Sequence, residues 1–425
     1  MSTALLTDHY ELTMLRAALR DGTGERPCVF EVFARHLPPG RRYGVLAGTE
    51  RLLEALEAFR FGADEVEQLL STGVVDAATA DWLASYSFSG DIDGHAEGET
   101  WFPGTPVLSV RGGFAECVLL ETLVLSILNH DSAIAAAAAR MVTAAAGRAC
   151  VEMGGRRTHE QAAVAAARAA YVAGFAATSN LEAGRRHGIP TTGTSAHAFT
   201  LLHDDERSAF AAQVAALGPG TTLLVDTYDV AAAVQLAVDV AGPGLGAVRI
   251  DSGDLAALAH EVRAQLDGLG ARRTRIVVTG DLDEHGIAAL AAAPVDSYGV
   301  GTAVVTGSGA PTAGFVYKLV EVAGRPVGKT STGKGTRPGA ASVVRRHDES
   351  GTALADVVRP AGDTGPALRE RPLHVPLLRG GRLIGDGTLA EARARCAASR
   401  EALPRAALLS SRGEPALPTL LEGWV

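Results

Sequence analysis

Between about residues 190 and 320 the apolar positions fall in short runs that each stop at a polar turn: "TTLLVDTYD", "LGAVRIDSGD", "RIVVTGDLDE" and "VDSYGVGTAVVTGSG". The first three stops are followed by a helical pattern. β-Branched runs alternating with helices predict parallel strands joined by right-handed crossovers, built as an α/β barrel or a doubly wound sheet. The flanking regions have another texture. The first hundred residues mix helical periodicity ("ELTMLRAALRDG", "TERLLEALEAFRFG") with extended pieces ("PCVFEVFARHL", "TPVLSVRGG"), an α+β arrangement. From Ala133, "AIAAAAARMVTAAAGRAC" and "EQAAVAAARAAYVAGF" predict long helices whose small side chains allow close packing. Beyond about 340, short extended pieces ("ALADVVRP", "RPLHVPLL", "GRLIG") and a helix near "TLAEARARCAASREAL" predict a segment that packs back on the first region.

Length and charge narrow the class. A chain of 425 residues exceeds the size at which one core usually divides. The expected organisation is an N-terminal α+β domain (1–125), an α/β barrel domain (126–335) and a C-terminal segment (336–425). The net charge of -9 argues against a surface that neutralises nucleic acid and points to a small partner, with room for a local basic pocket. Cys28, Cys117, Cys150 and Cys396 lack metal or disulfide spacing and read as reduced, mostly buried thiols. The chain opens with no signal-peptide pattern, and its longest apolar run is alanine broken by Arg140, so no membrane and a cytoplasmic location are expected.

The polar stops carry the candidate chemistry, because ligands of parallel α/β folds sit where strands end. "VRIDSGDL" offers Arg249, Asp251, Ser252 and Asp254. A guanidinium and two carboxylates suit an anionic group together with a ribose diol or Mg²⁺, while an Asp-Ser-Gly turn with Asp254 capping the next helix explains the same residues equally well. "DTYD" adds Asp226 and Asp229, and "TGDLDE" adds Gly280, Asp281 and Asp283; Asp229 and Asp283 are placed to start helices. Three acidic strand ends in one sheet favour a shared cation or polyol site over any one alone.

Other motifs speak less clearly. In "GVGTAVVTGSGAP", Gly301 and Thr302 suit a phosphate cradle, with a plain loop as the simpler reading. "EMGGRRTHEQ" pairs Arg156 with Arg157 beside glycine, fit for phosphate or carboxylate, although surface arginine pairs are common. Tyr10 in "TDHYELTM" reads first as a half-buried tyrosine. "GKTSTGKGT" is not a P-loop: Gly335 follows Lys334 where a Mg²⁺-binding Ser or Thr is required. His197 in "GIPTTGTSAHAFTLL" is, by spacing alone, a structural histidine beside small hydroxyl residues.

Taken in order, "LLTDHYELTM", "FEVFARHLP", "EMGGRR", "GFAATSN", "GTSAHAF", "RIDSGD", "GDLDE", "GVGT" and "VYKLVE" resemble the nicotinate phosphoribosyltransferase family over most of the chain. That resemblance implies an irregular α/β barrel domain plus an α+β sandwich-like domain formed by the N- and C-terminal segments. It implies a homodimer with shared active sites. The implied reaction joins nicotinate to 5-phosphoribosyl 1-diphosphate with Mg²⁺, ATP being the co-substrate, and gives nicotinate mononucleotide for NAD biosynthesis. By matching motif, Arg249 and Thr194 would contact nicotinate or the neighbouring phosphate, and Arg156 the anionic ring substituent or the phosphoribosyl group. Tyr10 would stack on the ring from the partner subunit. Asp251 and Asp226 would hold ribose hydroxyls or metal, with Asp251 the Mg²⁺ candidate; Gly280, Gly301 and Thr302 would face phosphate. His197 matches the histidine that the family phosphorylates from ATP, and Arg249 and Asp251 join it as the catalytic set. Nicotinamide phosphoribosyltransferase is the nearest alternative, against which "GTSAHAF" speaks. A quinolinate enzyme is disfavoured because no lysine and histidine cluster is evident. Intact Arg249, Asp251 and His197 argue against a non-catalytic regulator that merely binds a phosphoribosyl ligand.

Overall fold

Apolar strands need cover on both faces or a partner sheet, and the chain supplies each solution once. The computed structural model describes residues 2–331, 335–362, 366–385 and 387–424. It separates into one unit made of Met1–Ala136 with Ala310–Val425 and a second made of Ala137–Gly309. The division therefore falls at other places than the 126 and 335 expected from texture. Helix Glu121–Ala144 runs through 126 without a break, and strand Phe315–Val322 pairs antiparallel with Pro27–Ala34, which takes 310–335 into the first unit. Of the rejected P-loop motif, Gly333 and Lys334 lie outside the described residues.

In the first unit an antiparallel sheet of seven strands runs Arg325–Pro326, Phe315–Val322, Pro27–Ala34, Leu108–Gly113, Asp91–His95, His374–Arg379, Arg382–Leu383. Its neighbours come from both chain ends: Val375 pairs with Gly94 and Leu378 with Ile92. Phe30 stacks on Tyr317 at 4.8 Å between ring centres, within a core that includes Trp101, Phe59 and Leu377. A four-stranded sheet adds Glu370–Pro372, Ala341–His347, Ala353–Pro360 and Thr419–Leu421. Between these layers the buried Arg345 donates to Asp356 at 2.7 Å and to Glu99 at 2.9 Å; a buried guanidinium is tolerable only with such matched carboxylates. The tail is anchored as well. Leu420 pairs with Val357, and the Trp424 ring lies under the Arg337 guanidinium, 4.5 Å from ring centre to carbon.

The second unit is the predicted parallel sheet, curled into a half-barrel. Its strands are β1 (Ala149–Glu152), β2 (Ala177–Thr178), β3 (Thr222–Leu224), β4 (Ala247–Ile250), β5 (Arg275–Val278) and β6 (Ser297–Val300), in the order β2-β1-β6-β5-β4-β3. Every pairing is parallel. Helices Val230–Ala241, Leu255–Gly268 and Glu284–Ala289 follow β3, β4 and β5, and each starts at an aspartate. Asp229 accepts from the Ala232 amide, Asp254 from Ala257, and Asp283 from His285 and Gly286, so these three carboxylates are helix caps. The stretch Phe114–Ala144 has the length and apolarity of a membrane span, yet 67% of its most apolar window is buried within the fold. All four cysteines are free and buried, as expected.

Candidate active site

With the caps removed from consideration, the carboxyl ends of β3, β4 and β5 leave Asp226, Asp251 and Asp281. Parallel register does the rest of the assembly. Arg249 on β4 stands between Leu224 of β3 and Val277 of β5, and the Thr279 amide donates to the Ile250 carbonyl at 2.9 Å. Three neighbouring strand ends thus face one another.

Arg249 is the hub. Its Nε donates to Thr279 Oγ1 at 2.9 Å, its Nη1 to Thr194 Oγ1 at 2.9 Å, and its Nη2 to Asp251 Oδ1 at 2.8 Å. The planar fork is held at every branch, so the cation is oriented before any ligand arrives. Thr279 also donates through Oγ1 to Asp251 Oδ1. Burial pushes the Asp251 carboxyl up, but the Thr279 and Arg249 hydrogen bonds and the Arg249 charge outweigh it and hold it below the ordinary aspartate range.

Asp226 supports this hub from beneath. Its Oδ2 accepts from the Asp251 amide and from Ser252 Oγ, both at 2.8 Å, while its Oδ1 is buried without a partner. His197 Nε2 stands 3.9 Å from that oxygen, and His197 Nδ1 lies 3.1 Å from Thr227 Oγ1. The imidazole is 41% exposed against 2% for Asp226, so the ring is reachable while its carboxylate neighbour is not. His197 begins the short helix His197–Leu202, on a loop whose Thr194 reaches Arg249.

Over these groups opens a polar cavity of ≈ 150 Å³ lined by Met153, Arg156, Arg157, Arg249, Asp251, Thr279, Gly280, Asp281, Gly299, Gly301 and Thr302. Gly280 is required by geometry. Its φ is +106°, and a Cβ there would stand 2.4 Å from the Asp251 carbonyl oxygen. Larger cavities of ≈ 320 and ≈ 340 Å³ lie in the first unit, but Arg359 and Arg337 beside them are already paired with Glu370 and Glu31.

Most of the residues expected from sequence therefore converge. Arg156, Arg249, Asp251, Gly280, Gly301 and Thr302 line the cavity, and Thr194 and Asp226 touch its lining directly. His197 is linked to it through Asp226. Tyr10 belongs to helix His9–Asp21 of the first unit, is 43% exposed, and is not among the residues lining this cavity. Thr227 and Thr279 were missed by the sequence reading, although each is the hydroxyl that ends an apolar run, in "LLVDT" and "RIVVT".

A sequence model of the nicotinate phosphoribosyltransferase N-terminal domain matches residues 5–129. The chain is 62% identical over 425 residues to a nicotinate phosphoribosyltransferase, pncB1, of Mycobacterium tuberculosis, covering 98% of this chain and 94% of that one. This chain belongs to the nicotinate phosphoribosyltransferase family. A second relative from the same organism, pncB2, is 42% identical over 90% of this chain and 83% of its own. Among solved structures, human nicotinic acid phosphoribosyltransferase superposes with a TM-score of 0.86 at 27% identity, covering 98% of this chain and 97% of that one. The likeness includes the half-barrel whose strand ends carry the Arg249 hub.

Proposed function

We propose that this chain transfers a phosphoribosyl group from 5-phosphoribosyl 1-diphosphate to nicotinate, yielding nicotinate mononucleotide and diphosphate for NAD salvage, with ATP coupled through His197. The observation that carries the reading is the Arg249 hub on an arginine-rich cavity, with an accessible imidazole one carboxylate away.

The chemistry suits these residues. The pyridine nitrogen forms the new bond to C1′ while the C1′–O bond breaks toward diphosphate, and neither change moves a proton. What the site must supply is stabilisation of a polyanionic leaving group and alignment of the ring. Arg156, Arg157 and Arg249 supply positive charge, and Asp251 is kept ionised beside a ribosyl centre that gains positive character. Met153 is the apolar side chain among the lining residues and gives the ring a non-polar contact.

Mg²⁺ fits the donor set. Such an ion is commonly held through one or two carboxylates, water and substrate phosphates, and Asp251 offers a carboxylate on the cavity wall. Asp251, the accessible carboxylate of the Asp251 and Asp226 pair, would hold the ion, which when bound offsets diphosphate charge. His197 is the proposed phosphoryl acceptor: a neutral ring nitrogen attacks the γ-phosphorus of ATP, ADP departs, and hydrolysis of the phosphoimidazole returns the ring. The working form is a homodimer in the cytoplasm, with Tyr10 of the partner subunit completing the ring site.

The test is diphosphate release with nicotinate or nicotinamide, each with and without ATP. ATP-stimulated turnover with nicotinate and scarcely any with nicotinamide is expected; equal rates for the two bases would overturn the acid-specific reading. His197→Ala is expected to lose ATP stimulation while keeping slow ATP-independent turnover.

A further inference from the structure

Glu152 closes β1 and is 1% exposed, yet among the described residues no cation pairs with it. A buried carboxylate without a counter-charge is costly, and an apolar side chain of similar volume would pack there more cheaply. Its two oxygens are nevertheless both used, and by different loops. Oε1 accepts from the Gly154 amide, and Oε2 accepts from Thr178 Oγ1 at 2.5 Å.

The first bond shapes the turn that carries the cavity's arginines. Gly154 has no room for a side chain: a Cβ would stand 2.2 Å from Val305 Cγ1, 2.9 Å from the Gly301 carbonyl oxygen and 3.0 Å from Glu152 Oε1. The turn then closes with the Arg157 amide donating to the Gly154 carbonyl at 2.8 Å, and Arg156 and Arg157 project into the cavity lining. The second bond reaches the loop bearing Thr194 and His197. The buried Thr178 donates its amide to Pro190 O and accepts from the Thr192 amide, both at 3.0 Å. One carboxylate therefore sits where the loops after β1, β2 and β6 meet.

We propose that Glu152 is a positioning residue that sets the Gly154–Arg157 turn, and through it the grip of Arg156 and Arg157 on the diphosphate-bearing substrate. The inference rests on the phosphoribosyl transfer proposed above. Burial outweighs the bonds from Thr178 and Gly154 and leaves the carboxyl above the ordinary glutamate range, with donors rather than a cation as the opposing influence.

Two variants separate positioning from packing. Glu152→Leu fills the volume without acceptors, whereas Glu152→Gln retains a carbonyl oxygen for the Gly154 amide. With Glu152→Leu the KM for 5-phosphoribosyl 1-diphosphate is expected to rise about twentyfold and calorimetric binding of inorganic diphosphate to weaken alike, with kcat changed less than about threefold. Glu152→Gln is expected to stay within about threefold of wild type in both readouts. A wild-type KM in Glu152→Leu, or Glu152→Gln as impaired as the leucine variant, overturns the inference. Should the leucine variant not fold, Thr178→Val decides, with an expected rise in that KM of about fivefold and an unchanged KM refuting the proposal. Absence of turnover and diphosphate binding in the wild type would instead remove the parent reading.

Discussion

Replacing Arg249 by lysine keeps the positive charge and removes the fork, so it isolates what geometry contributes. The guanidinium reaches Thr279, Thr194 and Asp251 through three separate nitrogens at 2.8–2.9 Å, with its side chain only 16% exposed. A lysine ammonium is a single point on a flexible stem and reaches one of these partners at a time. Two hydrogen bonds are lost, and charge-assisted bonds are worth about 1.5–3 kcal/mol each against about 1 kcal/mol for neutral ones. Taking about 3 kcal/mol for the pair, kcat/KM should fall roughly a hundredfold at about 1.4 kcal/mol per decade. The assay is diphosphate release with nicotinate under saturating ATP and 5-phosphoribosyl 1-diphosphate, with thermal denaturation alongside to show that the variant is folded. A folded Arg249→Lys protein within threefold of wild type would refute the claim that the fork, rather than the charge, organises the site.

Further outcomes follow from other parts of the molecule. Gly280→Ala places a Cβ 2.4 Å from the Asp251 carbonyl oxygen at a φ of +106°, so it should cost about 1–3 kcal/mol of stability and depress activity; an unchanged melting temperature would contradict this. Burial pushes the thiol of Cys150 up to about 12 and those of Cys28 and Cys396 up to about 11, so a thiol reagent should label the native protein negligibly and the denatured protein at all four cysteines. Glu370 is held down to about 2, chiefly by hydrogen bonds from Arg359 and with help from Arg346. Because its folded pKa lies below the ordinary glutamate value, its contribution is full above that value and fades as pH falls toward 2. The stability gap between wild type and Glu370→Gln in urea denaturation should therefore narrow between about pH 5 and about pH 2, and a constant gap would count against the pairing.

Much of this was legible from the order of residues. Alternating apolar runs and helical patterns determined a parallel α/β unit, because strands that end in Asp-, Gly- and Thr-rich stops cannot continue as strands. The caps Asp229, Asp254 and Asp283 were readable for the same local reason: each sits immediately before its helix and satisfies that helix's own amides. The motif order pointed to the family, and with it to Arg249, Asp251 and His197.

What the order of residues did not determine was which polar groups meet. Thr279 and Thr227 carried no motif signal, since a threonine after a strand is ordinary; parallel register brings Thr279 to Arg249, and the folded course of the loop before helix His197–Leu202 brings His197 to Thr227. The domain limits also needed the fold, because helix Glu121–Ala144 crosses residue 126 without a local break and strand Phe315–Val322 finds its partner almost three hundred residues earlier. Glu152 opens the glycine-arginine stretch with no signal of its own, and only the fold makes it a buried acceptor shared by two segments. Local pattern is written by backbone and burial preferences a few residues apart; convergence at a site depends on pairings between distant strands, and those exist only once the sheet has formed.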